Sequence, residues 1–113
     1  MTQAKRSTLM LDFDKDIKGW RAVFLTCHDD LVNLYHLNVH NMYIRRSDSG
    51  NFHIVAILNE QLSDAEIVAL QFALGSDAMR EKLNLVRVLT LRDPTIKKFW
   101  RKRWNVLYSK KIK

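Results

Sequence analysis

Asp12 and Asp14 stand two residues apart at the end of a short apolar run that begins at Leu9. Side chains alternate along a β-strand, so residues i and i+2 point the same way. Two carboxylates presented together suit a hard divalent cation, magnesium or manganese, with nucleotide phosphates and water completing its octahedron. An Asp after a strand also commonly caps the helix that follows, and the spacing leaves both roles open. A second group with chemical reach lies in the stretch 43–53, where Arg45 and Arg46 precede a polar turn, with Ser49 at its tip, that leads into His53. Guanidinium forks and an imidazole N–H all address phosphate.

A third signal is electrostatic. The chain has a net charge of +7, yet its basic residues are not evenly spread. Lys97, Lys98, Arg101, Lys102, Arg103, Lys110, Lys111 and Lys113 follow one another without an intervening acid, while the preceding 96 residues are close to neutral. Such a segment suits a phosphate backbone. Its aromatics, Phe99, Trp100 and Trp104, fit either base stacking or the buried face of an amphipathic helix. An anionic membrane surface is the weaker alternative, because the apolar face of that helix is expected to join the core.

Leu11-Asp12-Phe13-Asp14 followed by Ser49-Gly50-Asn51-Phe52-His53 resembles the first two motifs of the archaeo-eukaryotic primase (primase-polymerase) superfamily. Small proteins of this type, associated with archaeal viruses and plasmids, also carry a Leu-Gly-Asp-Asp-Pro-x-Arg-like segment and a terminal Asn-Val-Leu-Phe-like strand. Here Leu74-Gly75-Ser76-Asp77-Ala78-Met79-Arg80, then Asn84 and Arg87, then Asn105-Val106-Leu107-Tyr108 occupy those places. The resemblance implies a role in replication, Asp12 and Asp14 as Mg or Mn ligands, and His53 on the phosphates of a nucleotide. Arg45, Arg46, Ser49, Arg80 and Arg87 are further phosphate contacts. A third acid is expected where this chain has Asn84, so the resemblance covers both a nucleotidyl transferase and a degenerate relative that only binds nucleic acid. A non-catalytic RNA-recognition-like module, with Phe52 as its stacking ring, and a structural homo-oligomer are the alternatives. DNA and RNA are equally suitable partners.

The elements that must position these residues follow from periodicity. Leu9 to Asp14 reads as a strand, and apolar residues from Ile17 to Leu37 recur at helical spacing after a cap near Asp16. Val39 to Arg46 and Phe52 to Leu58 read as a hairpin, with His53, Val55 and Ile57 on one face and Phe52 and Ile54 on the other. Ser63 and Glu66 form a capping box for a helix that Gly75 ends. A second helix is expected from Ser76 or Asp77, then a strand over Leu85 to Leu91 on the strength of Val86, Val88 and Thr90. Pro94 opens a basic helix and Asn105 to Tyr108 reads as a short last strand. This order predicts an α+β fold of the split βαβ (RRM-like or ferredoxin-like) kind, an antiparallel sheet backed by helices on one face.

The 113 residues suit a single domain, with residues 1–7 flexible and 94–113 a basic extension. A lone cysteine, Cys27, allows neither an internal disulfide nor a multi-cysteine metal site. No signal-like or membrane-spanning apolar run is evident, and a cytoplasmic setting is expected, the host cytoplasm if the protein is viral.

Overall fold

A computed structural model describes residues 5–13, 19–46, 51–90 and 105. Its elements run β1 (Ser7–Phe13), α1 (Trp20–Asp29), β2 (Val39–Arg46), β3 (Phe52–Leu58), α2 (Asp64–Ala73) and α3 (Ala78–Thr90), with a π-helical turn over Asp30–Leu34 extending α1. The three strands form one antiparallel sheet in the order β1-β3-β2. Both outer strands pair antiparallel with β3, so β1 and β2 run the same way.

Alternation gives the sheet its two faces. Leu9, Leu11 and Phe13 of β1 and Phe52, Ile54, Ala56 and Leu58 of β3 are buried in one cluster with Cys27, Leu31, Ile67, Val68 and Leu74 from the helical side. Met42 and Ile44 of β2 pack against the same cluster. Paired across β1 and β3, Phe13 and Phe52 stack with ring centroids 5.1 Å apart. Phe52 is fully buried there, which removes it as a stacking ring for a base.

Several local signals act as their chemistry dictates. Ser63 Oγ accepts from Glu66 N and Glu66 Oε1 accepts from Ser63 N, closing the capping box of α2. Gly75 ends the helix at φ 94°, a left-handed conformation that glycine adopts without strain. Asp77 Oδ2 accepts from Arg80 N and caps α3. Helix α1 starts at Trp20 after Gly19, and no side chain caps it. The chain leaves the π-helical turn through His36, whose φ of 56° is left-handed for a non-glycine residue.

The strand expected over Leu85 to Leu91 is instead helix through Thr90. The inward positions of α3 are Arg80, Glu81, Asn84 and Val88, spaced as a helix requires, but three of the four are polar. A search for apolar periodicity therefore misses this face and sees only the β-branched residues. The helical run that begins at Trp20 continues through the π turn to Leu34, short of the expected end at Leu37, because His36 redirects the chain; Ile17 lies outside the described residues. The cap near Asp16, the helix after Pro94 and all of the last strand but Asn105 lie outside the described residues. Among the described residues no helix is long and apolar enough to cross a membrane.

Candidate nucleic-acid interface

The face of the sheet opposite the core carries the residues with chemistry. Asp12 pairs with His53 across β1 and β3, and Arg45 pairs with His53 across β2 and β3. Directly opposed residues share a face, so a carboxylate, an imidazole and a guanidinium stand in one row across three strands. The next row is Met10, Val55 and Tyr43. Asp12, more than thirty residues from the other two in sequence, is brought into their row because β3 runs between the two outer strands.

The row is not uniformly accessible. His53 is 2% exposed, Asp12 is 25% exposed and Arg45 is exposed. His53 Nε2 lies 3.3 Å from Asp12 Oδ1, and its Nδ1 is buried without a hydrogen-bond partner. The imidazole expected to face phosphate faces Asp12 instead. The two groups are close enough for an ion pair, while the other ring nitrogen meets no polar neighbour. Arg45 is the group in the row that a phosphate can reach.

The backbone of β1 is held from its outer edge by the corner between α2 and α3. Met10 N donates to Gln71 Oε1 at 2.8 Å, and Met10 O accepts from Arg80 Nη1 at 2.6 Å. Two residues on, Asp12 N donates to Ser76 Oγ at 2.9 Å and Asp12 O accepts from Asp77 N at 2.6 Å. These four bonds occupy the groups that a further strand beside β1 would use at Met10 and Asp12.

Behind that edge lies a buried polar cluster. Glu81 is 1% exposed and its carboxylate accepts from four donors: Gln71 Nε2 and Asn84 Nδ2 at Oε1, Ser76 Oγ and Arg80 Nη1 at Oε2. Asn105 joins from a distant point in the chain, accepting from Arg80 Nη2 at 2.8 Å and donating to Gln71 Oε1 at 2.8 Å. A buried ion pair is tolerable only when its remaining hydrogen-bonding groups are met, and here they are. Burial pushes the Arg80 guanidinium below its ordinary range, while the Glu81 and Asp12 carboxylates pull in the opposite direction. Gln71 was not distinguished as a site by sequence pattern; it sits on an amphipathic helix where a polar residue occupies an inward position, and that mismatch is the signal that finds it.

The residues singled out from sequence therefore separate into groups. Asp12, His53 and Arg45 converge in one row. Arg46, in the row of Phe13 and Phe52, lies on the opposite face from Arg45 and so cannot share its ligand. Arg80 and Asn84 belong to the buried cluster, and Arg87 Nη1 donates to Asn84 Oδ1 at 3.3 Å. Asp14, Ser49, Lys97, Lys98, Arg101, Lys102, Arg103, Lys110 and Lys111 lie outside the described residues.

Asn84 does not fit the role of a metal ligand. Its carbonyl oxygen accepts from a cationic guanidinium and its amide nitrogen is engaged with Glu81, an arrangement that opposes a second cation at the same atom. Among the described residues no group of three or more His, Cys, Asp or Glu side chains is placed to hold a metal ion. No family model matches the sequence, and neither a curated protein nor a solved structure matches it.

Proposed function

We propose that this protein binds nucleic acid in replication, on a primase-polymerase-like core that has lost the third metal ligand and serves as a binding rather than a transferring surface. The observation that carries this reading is the Asp12–His53–Arg45 row, which gathers first- and second-motif residues on one face of the sheet and leaves Arg45 accessible. A phosphate approaching Arg45 meets a bidentate donor. The net charge of +7 and the basic segment from Lys97 onward supply a long-range attraction for the same polyanion.

The fold supports the resemblance in one further respect. Strands β1 and β2 run parallel with β3 between them, a strand order in keeping with a split βαβ arrangement. The segment 74–80 with Asn84 and Asn105, which the resemblance also picks out, supplies most of the polar cluster that fixes β1. Its role in this reading is to position the strand that bears Asp12.

The test is an assay of the full chain with template, labelled nucleotides and either magnesium or manganese, in parallel with oligonucleotide binding. The expected result is binding that survives Asp12→Ala, with no incorporation above background. Template-dependent incorporation that disappears in Asp12→Ala would overturn the reading in favour of a transferase.

A further inference from the structure

Resting on the nucleic-acid reading, we infer that the ligand is single-stranded and that Tyr43 and Arg45 together form its seat, the ring stacking a base and the guanidinium holding the adjacent phosphate. Tyr43 and Arg45 are i and i+2 on β2, so they share a face and lie about 7 Å apart along the strand. A single nucleotide spans that distance. Tyr43 is 40% exposed although it carries a large apolar ring, while Met42 and Ile44 on the other face turn toward the core.

No ring contact among the described residues involves Tyr43; those present are Phe13 with Phe52, Trp20 with Phe24, and Arg21 over Trp20. Beside it in the same row, Val55 of β3 is buried, so the accessible surface at this point of the sheet belongs to Tyr43. The aromatic face that Phe52 cannot offer is thus present one strand away, at a position that motif comparison does not consider.

Charge selects the occupant. The ring is flanked by exposed Arg45 on its own face, in a chain of net charge +7. A second copy of the chain would bring the same arginines against each other. Duplex nucleic acid offers phosphates but keeps its bases stacked on one another, whereas a single strand offers both groups at once.

The experiment compares the full chain with Tyr43→Ala and Tyr43→Phe, using labelled oligo-dT, oligo-dA, an abasic oligonucleotide of equal length and a duplex. The inference predicts that Tyr43→Ala weakens oligo-dT and oligo-dA binding about tenfold or more, that Tyr43→Phe retains affinity, and that abasic binding is unchanged. Unaltered urea midpoints for both variants confirm that an exposed position has been changed without loss of fold. Equal affinity of wild type and Tyr43→Ala for the two base-bearing strands overturns the inference, as does equal wild-type affinity for duplex and single strand. If wild type binds none of the four probes at low salt, the nucleic-acid reading itself fails. Binding by wild type with no effect of Tyr43→Ala leaves that reading standing and removes only the stacking seat.

Discussion

Asp12 and His53 face each other across β1 and β3, with the carboxylate Oδ1 3.3 Å from the imidazole Nε2 and the ring almost wholly buried. The relationship makes His53 a support for Asp12 as well as part of the sheet interior. His53→Ala removes a buried ring from the central strand, and a loss of about 2–4 kcal/mol is expected in urea denaturation, by analogy with other large-to-small interior changes. Asp12→Asn, at a partly exposed position, is expected to cost about 1 kcal/mol or less. Equal costs for the two variants would argue against this division of roles.

The buried cluster predicts a larger effect. Glu81→Ala leaves the buried Arg80 guanidinium without its carboxylate and takes an acceptor from Gln71, Ser76 and Asn84, so a loss of about 3–5 kcal/mol is expected. The same edge bonds hold β1, so amide exchange at Met10 and Asp12 should quicken in Glu81→Gln even if that variant remains folded. Protection at these two amides equal to wild type would contradict the proposed coupling.

Gly75→Ala tests the backbone rather than the packing. An added Cβ would meet Phe13 Cε1 at 3.5 Å, ordinary contact, so the expected loss of about 1–2 kcal/mol comes from the φ of 94°. A thermal midpoint equal to wild type would mean that the turn accommodates a side chain without strain.

Cys27 gives the protein a pH signature. Burial, assisted by nearby Asp30, pushes its thiol from 9.0 up to about 11. Between these values the unfolded chain releases a proton that the native chain retains, so stability falls as pH rises through that window and is fully present below it. Denaturation curves should therefore show a steeper decline from pH 9 to pH 11 for wild type than for Cys27→Ala, by at most ~1.4 kcal/mol per pH unit. Parallel declines would place the thiol in a more solvated setting.

Legibility in the sequence followed the kind of signal each element carries. Strands β2 and β3 are separated by turn chemistry, so their limits were readable, but β3 is buried on both faces and its burial does not tell them apart. Capping by Ser63 and Glu66 is local and equally readable. Helix α3 was not, because Arg80, Glu81 and Asn84 occupy its inner face and their partners, Gln71, Ser76 and Asn105, are supplied by tertiary structure. Within the site, Asp12, His53 and Arg45 could be named individually, but their meeting in one row depends on strand order and register. Tyr43 escaped notice since an aromatic on a strand reads equally as core, and only the register puts it beside Arg45 on the accessible face.

The central claim is that the face bearing Arg45 holds a nucleic-acid phosphate. It is tested most directly by measuring the affinity of the full chain and of Arg45→Ala for a labelled single-stranded oligonucleotide across a salt series. One lost phosphate contact predicts weaker binding at every salt concentration and a slope of log affinity against log salt shallower by about 0.7. Superimposable salt curves for the two proteins would contradict the account.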